Sequence, residues 1–288
     1  MHSNDAYHNI PKAPIVLLTD FGLSDPFVGQ MKGVIARISP EATVIDLCHY
    51  VPPQNVVVGA IFLRGSIGFF PVGTIFVAVV DPGVGTDRNA VIVKTRGQYF
   101  VGPDNGLMWN TVLSDEGGED EWEAVKIENR KYMLPEISDT FHGRDIFAPA
   151  AAHLMNGVPM KEFGPKLDKL VATDVPQPFI ENDVIRGRVV YIDHFGNAWT
   201  NVSLGFLKRI GWLEKSGYIV TRVASCVIKG LQKSYIGAKA NKPIALINSF
   251  KLVEIAWPGE SAEKKLRLWE GVWVDMELMP KVTAEFFA

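Results

Sequence analysis

The feature that most constrains the fold is a change of hydrophobic period part-way along the chain. From Pro14 onward, short continuously apolar runs alternate with stretches whose apolar residues recur at helical spacing. The run PIVLLTD (residues 14–20) ends in turn residues, as a strand covered on both faces does, and PFVGQMKGVIARI (26–38) follows Pro26 as a helix. TVIDL (43–47) then reads as strand, PQNVVVGAIFLRGSI (53–67) as helix and GTIFVAVVD (73–81) as another buried strand. AVIVKT (90–95) and QYFVGPD (98–104) add strand content, and RDIFAPAAAHLMNG (144–157) has helix-forming composition with Gly157 placed to end it. Repeated β-α-β predicts a mostly parallel sheet flanked by helices.

Around residues 170–187 the texture changes. Pro176, Pro178 and the polar END (181–183) read as a linker, and beyond them the period falls from 3.6 toward 2. Stretches 184–202, 217–230, 242–257 and 268–278 read as strands separated by Gly-bearing turns, the pattern of a small β-barrel or sandwich, of which the barrel is expected. The expected architecture is therefore α/β: an N-terminal α/β domain over residues 1–175, then a smaller C-terminal β-barrel domain over 183–288.

Composition narrows the partners. Net charge is −3 and the 29 Lys and Arg are scattered, so the basic stripe of a nucleic-acid binder is missing and a small molecule is the expected partner. No apolar run reaches the roughly 18 residues of a membrane span, and the first residues lack the layout of a signal peptide. Cys48 and Cys226 sit in apolar strand-like contexts without C-x-x-C spacing, which fits reduced thiols. A cytoplasmic protein with no membrane association is expected.

Asp20, Phe21 and Gly22 spell the D-F-G of protein kinases, and residues 142–145 spell H-G-R-D. In a kinase the H-R-D loop precedes D-F-G, and a glycine-rich loop and a strand lysine precede both. Here the order is inverted and the upstream half is missing, so the kinase reading is excluded. Asp20 instead stands at the carboxyl end of the first strand, where parallel sheets bind ligands and a ribose diol suits a carboxylate. Capping the helix that begins near Pro26, or satisfying the turn, is the competing use.

Polar residues recur wherever a buried strand ends. Asp81 ends the third apolar run, Pro82 and Gly83 force a turn, and Arg88 follows seven residues later. Asp104, Asn105 and Gly106 form a turn signal that reads as structural. His142, between Phe141 and Gly143, precedes a helix and so could face a pocket at its N-terminus, or be a satisfied polar group. Arg144 and Asp145 could brace that loop by an ion pair, and His153 lies among small apolar residues. In the second domain, Asp193, Phe195, Asn197 and Trp199 lie within seven residues: two flat aromatic faces and an amide that fits an adenine edge, or equally a turn flanked by core aromatics. Asn248, Ser249 and Glu254 carry the same ambiguity. Asp20, Asp25, Asp81 and His142 are of metal-ligand type, but nothing has the spacing of a metal motif, and no metal is expected.

Taken in order, residues 19–33, 79–88, 102–107, 140–154, 192–201 and 248–256 resemble the S-adenosyl-L-methionine (SAM) hydroxide adenosyltransferase family, relatives of the SAM-dependent fluorinating and chlorinating enzymes. The resemblance implies hydrolysis of SAM to adenosine and methionine, with no separate cofactor, by a homotrimer whose sites form at subunit interfaces. It implies a catalytic triad at Asp81, Arg88 and His142 and ribose binding at Asp20. Base and methionine binding would fall on Asp193, Phe195, Asn197, Trp199 and Ser249, with Phe141, Gly143 and Glu254 counted among the substrate-binding positions. Phe250 stands where halogenating relatives carry an Arg, and Trp257–Pro258 replaces a small stretch. Fluorinating enzymes have Tyr at the positions of Asp81 and His142. A halogenase, or a binder of adenosine or SAM without turnover, is the alternative.

Overall fold

The computed structural model describes residues 13–113, 119–236 and 241–279, which fall into two compact units divided between Asp174 and Val175. The N-terminal stretch read for a signal peptide lies largely outside the described residues.

The first unit is a seven-stranded sheet with helices on it. Its strands are β1 (Ile15–Thr19), β2 (Val44–Cys48), β3 (Ile75–Val79), β4 (Ala90–Thr95), β5 (Gln98–Pro103), β6 (Trp122–Lys126) and β7 (Lys166–Leu167). Every residue of β1 and β3 is buried, which is why both are continuously apolar rather than alternating. Helix α1 (Phe27–Ile38) buries Val28, Met31 and Ile35, a stripe at helical spacing. Together with α4 (Ala148–Met155) these residues form one core with Ile15, Leu17, Ile75, Val77 and Val79. Helix α2 (Val56–Ser66) is capped by Asn55, whose side chain accepts from Val58 N at 3.0 Å, and α3 (Trp109–Val112) is a single turn.

Strand order is β2-β1-β3-β5-β4-β6-β7. β2, β1, β3 and β5 run parallel, whereas β4, β6 and β7 continue the sheet antiparallel. The change of direction has a local cause. Arg96 (φ +52°) and Gly97 (φ +73°) form the two-residue connection between β4 and β5, and so short a loop joins only antiparallel neighbours. The functional consequence comes from the other half. β1 sends its crossover helix to β2 on one side, while the chain leaves β3 on the other, so a topological switch point opens beyond the carboxyl ends of β1 and β3. Asp20 follows β1 and Asp81 follows β3.

The second unit is a nine-stranded, nearly closed barrel-like sheet. It comprises β8 (Phe179–Glu181), β9 (Val184–Ile192), β10 (Ala198–Ser203), β11 (Ile219–Val223), β12 (Cys226–Lys229), β13 (Leu231–Gln232), β14 (Ile244–Ile247), β15 (Leu252–Ala256) and β16 (Trp273–Leu278), with short helices α5 (Leu204–Arg209) and α6 (Ala262–Leu266). Its ladders are antiparallel except β13 with β14. The period-two reading is realised most plainly in β9, whose first six residues alternate between half-buried and buried. Ile185, Val189, Ala198, Val202, Val253, Ile255, Val274 and Met276 fill a core separate from that of the first unit.

Candidate active site

The segment from Asp81 to Arg88 makes two consecutive turns: Val84 N donates to Asp81 O (3.2 Å) and Thr86 N to Gly83 O (3.1 Å). These bring Arg88 back onto Asp81. Its Nε donates to Asp81 Oδ1 at 2.6 Å and its Nη2 donates to Oδ2, a two-pronged pairing that fixes both planes. The side chains of Arg88 and Asp81 are only 9% and 5% exposed, so the pair lies out of bulk water, with the guanidinium 5.5 Å from the centre of the Phe147 ring.

Arg88 Nη2 also donates to His142 Nδ1 at 2.9 Å. A guanidinium has no acceptor, so Nδ1 must carry the lone pair and a neutral His142 holds its proton on Nε2. Burial, and then the Arg88 charge, depress the imidazole's pKa below the ordinary 6.5, which favours that neutral form. His142 immediately precedes a five-residue π-helical turn, Gly143–Phe147, that runs directly into α4. Such wide turns are frequent at functional sites because they redirect side chains without breaking the helix. Gly143 packs closely there: a Cβ would lie 3.3 Å from the side chains of both Met31 and Phe141. Below it, the fully buried carboxylate of Asp145 accepts from Ser138 N (2.9 Å) and pairs with Arg144 (2.6 Å), so the brace read from the sequence is present.

Asp81, His142, Phe141 and Gly143 line a cleft of about 500 Å³ together with Phe21, Phe27, Gln30, Val84, Thr140 and Arg144. Phe21, Phe27 and Phe141 meet edge-to-face with centroids 5.3–6.0 Å apart, giving the cleft an apolar aromatic wall beside its charged floor. Asp20 does not cap α1. One of its oxygens accepts from Gln54 N at 2.7 Å, tying the loop after β1 to the loop before α2. Among the described residues, no three His, Cys, Asp or Glu side chains cluster to hold a metal ion. Asp104 and Asn105 serve their turn: Asp104 accepts from Val171 N (2.8 Å) and Asn105 donates to Val80 O (2.8 Å). His153 packs its ring edge against Tyr132.

The remaining sequence-predicted positions lie in the second unit. Asp193 organises its own turn, accepting from Phe195 N and Asn197 N (2.9 Å each) and from the side chains of Asn197 (3.0 Å) and Trp199 (3.3 Å). Trp199 is buried against Phe250 and Tyr191, whereas Phe195 projects 75% exposed and Ser249 is exposed. Glu254 is buried and accepts from Tyr235 Oη at 2.6 Å; burial, reinforced by the Asp193 charge, raises its pKa. The sequence reading missed Phe21, Phe27 and Gln30 as cleft residues, and Tyr235. The first three sit in the same strand-to-helix string as Asp20, where the helical period could have shown which of them face the sheet's carboxyl edge.

Two family models match almost end to end: the SAM hydroxide adenosyltransferase N-terminal domain over residues 15–164 and the C-terminal domain over 187–275. The chain is 36% identical over 262 residues to a protein of Thermus thermophilus named (R)-S-adenosyl-L-methionine hydrolase, covering 90% of this chain and 97% of that one. It is 32% identical over 224 residues to a fluorinase of Actinoplanes sp., covering 68% and 74%. An uncharacterised conserved protein of Thermotoga maritima, known from its crystal structure, superposes with a TM-score of 0.81 at 37% identity, covering 91% and 99%. With both domain models matched in order and the fold shared along nearly its whole length, the chain belongs to the SAM hydroxide adenosyltransferase family.

Proposed function

We propose that this chain hydrolyses SAM to adenosine and L-methionine, and that Asp81, Arg88 and His142 are the residues that act on the attacking water. The observation carrying the reading is that Asp81 and His142 line a cleft at the sheet's switch point and are joined to each other by Arg88. Relatives named for the (R) sulfonium epimer support that epimer as the substrate.

In the proposed step, water oxygen bonds to ribose C5′ and the C5′–S bond breaks, its electron pair leaving on the sulfur of neutral methionine. One water proton must go, and Asp81 is the anionic acceptor within the triad. Arg88 holds that carboxylate in one plane and offsets negative charge developing on oxygen. His142, its Nδ1 engaged by Arg88, offers Nε2–H as a donor that orients the water rather than removing its proton. Charge is annihilated as nucleophile meets sulfonium, so a partly apolar cleft lowers the barrier relative to water. The Asp20 oxygen not engaged by Gln54 suits a ribose hydroxyl, and the exposed ring of Phe195 and the amide of Asn197 suit the adenine. The reaction as written needs no redox cofactor. The family resemblance supports a homotrimer with sites completed at subunit interfaces, and two free cysteines support a reducing, cytoplasmic setting.

A fluorinase among the relatives makes halogen transfer the second reading. The Asp81 carboxylate argues against it, because an anion beside the entering nucleophile repels halide. Incubation with SAM in the presence and absence of chloride tests the choice. Adenosine in both supports hydrolysis, and a 5′-chloro nucleoside overturns it.

A further inference from the structure

We infer that Thr19 and His49 are positioning residues for the substrate, holding the Asp20 loop in its binding geometry through a buried hydrogen-bond relay. This rests on the reading of Asp20 as the ribose ligand. Thr19 is fully buried at the end of β1, and His49, 3% exposed, follows β2. Thr19 Oγ1 lies 2.8 Å from His49 Nδ1 and accepts from Phe21 N at 3.3 Å. Where the Thr19 hydroxyl donates to Nδ1, a neutral ring carries its proton on Nε2. That nitrogen is 3.0 Å from Asp46 Oδ1, off the line of an ideal hydrogen bond, and Asp46 Oδ2 accepts from Lys32 on α1 at 2.6 Å.

The backbone adds to the clamp. Gly22 N donates to His49 O at 2.7 Å, Val51 N to Thr19 O at 3.4 Å, and Gln54 N to the Asp20 carboxylate at 2.7 Å. Asp20 therefore lies between two residues, Thr19 and Phe21, joined to each other through one hydroxyl, and its own side chain is held by the loop that His49 begins. Phe21 also forms part of the aromatic wall of the cleft. None of these contacts reaches the Asp81–Arg88–His142 group, so the relay acts on where the substrate sits, not on the water.

Thr19→Val keeps the shape and removes the hydroxyl, while Thr19→Ser keeps the hydroxyl. Calorimetric titration with adenosine and steady-state kinetics on SAM separate the possibilities. Thr19→Val and His49→Ala are expected to weaken adenosine binding and raise KM by about tenfold, the equivalent of about 1.4 kcal/mol, with kcat within about threefold of the parent and Thr19→Ser restoring affinity. A merely structural role would lower the melting temperature without moving the affinity of the folded fraction. Folded Thr19→Val that binds adenosine as tightly as the parent overturns the inference. Because binding is read without turnover, a parent protein that binds adenosine but hydrolyses nothing defeats the hydrolytic reading alone. A parent that binds no adenosine defeats both.

Discussion

Asp81, Arg88 and His142 hold one another in interdependent states. Asp81→Asn keeps the outline of the acceptor and removes its charge; turnover should fall by about 10²–10⁴, the usual worth of a positioned acid or base. Adenosine binding should survive, and unchanged turnover in the folded variant would remove Asp81 from the chemistry. The imidazole supplies a pH test. Its pKa is lowered by burial and by Arg88, so at acid pH the unfolded chain takes up this proton before the native one does. The sign is then fixed: the His142 contribution to stability is complete above pH 6.5 and declines as pH falls from 6.5 toward the lowered native value. Since protonated Nδ1 cannot accept from Arg88, the acid limb of kcat/KM should have its midpoint below 6.5. A midpoint above 6.5 would contradict the lowered pKa, and activity that rises as pH falls through this range would mean that the charged imidazole is the working form.

At the scale of elements, the two loops that carry the triad are pressed together at one glycine. Gly85 has φ +80°, and a Cβ there would sit 2.5 Å from the carbonyl oxygen of Asp139, three residues before His142. Gly85→Ala should therefore cost about 1–2 kcal/mol of backbone strain and displace the 139–142 loop from Arg88. A thermal melt and a kcat measurement check both parts; a variant with lowered melting temperature and parental kcat would show that the loop contact does not matter to turnover. Asn55→Ala, which removes the cap of α2, should cost about 1 kcal/mol of stability in a denaturant titration.

Much of this level was legible in the sequence. β1 and β3 were readable because strands covered on both faces must be apolar throughout, and Asp81 was conspicuous as the first charge after such a run. Seven residues of Gly-rich turn left the side of Arg88 open, and it is the pair of turns at Gly83 and Thr86 that settles it. The use of Asp20 by Gln54 was not legible, because the partner is a backbone group 34 residues away, brought near only by the β1–β2 register. Trp199 and Asp193 show the converse limit. Their composition fits a base-binding site and a self-satisfied turn alike, and only the hydrogen bonds reveal how fully the turn uses them.

At the scale of the whole molecule, a parallel-edged sheet with a switch point and a barrel-like sheet each bury a core of their own. The period change near residue 180 foretold that pairing of architectures, because side-chain period follows directly from which faces a segment must bury. Assembly is not written in those periods. Light scattering should give the mass of three chains, and a monomer that hydrolyses SAM at the parental rate would contradict the proposal of sites at subunit interfaces. In the proposed reaction water, held by Asp81, Arg88 and His142, displaces methionine from C5′. Its most direct test is mass analysis of the nucleoside formed from (R)-SAM in isotopically labelled water containing chloride. Adenosine carrying the solvent's oxygen at the 5′ position is expected; a 5′-chloro nucleoside, or adenosine without the label, would contradict hydrolysis at C5′.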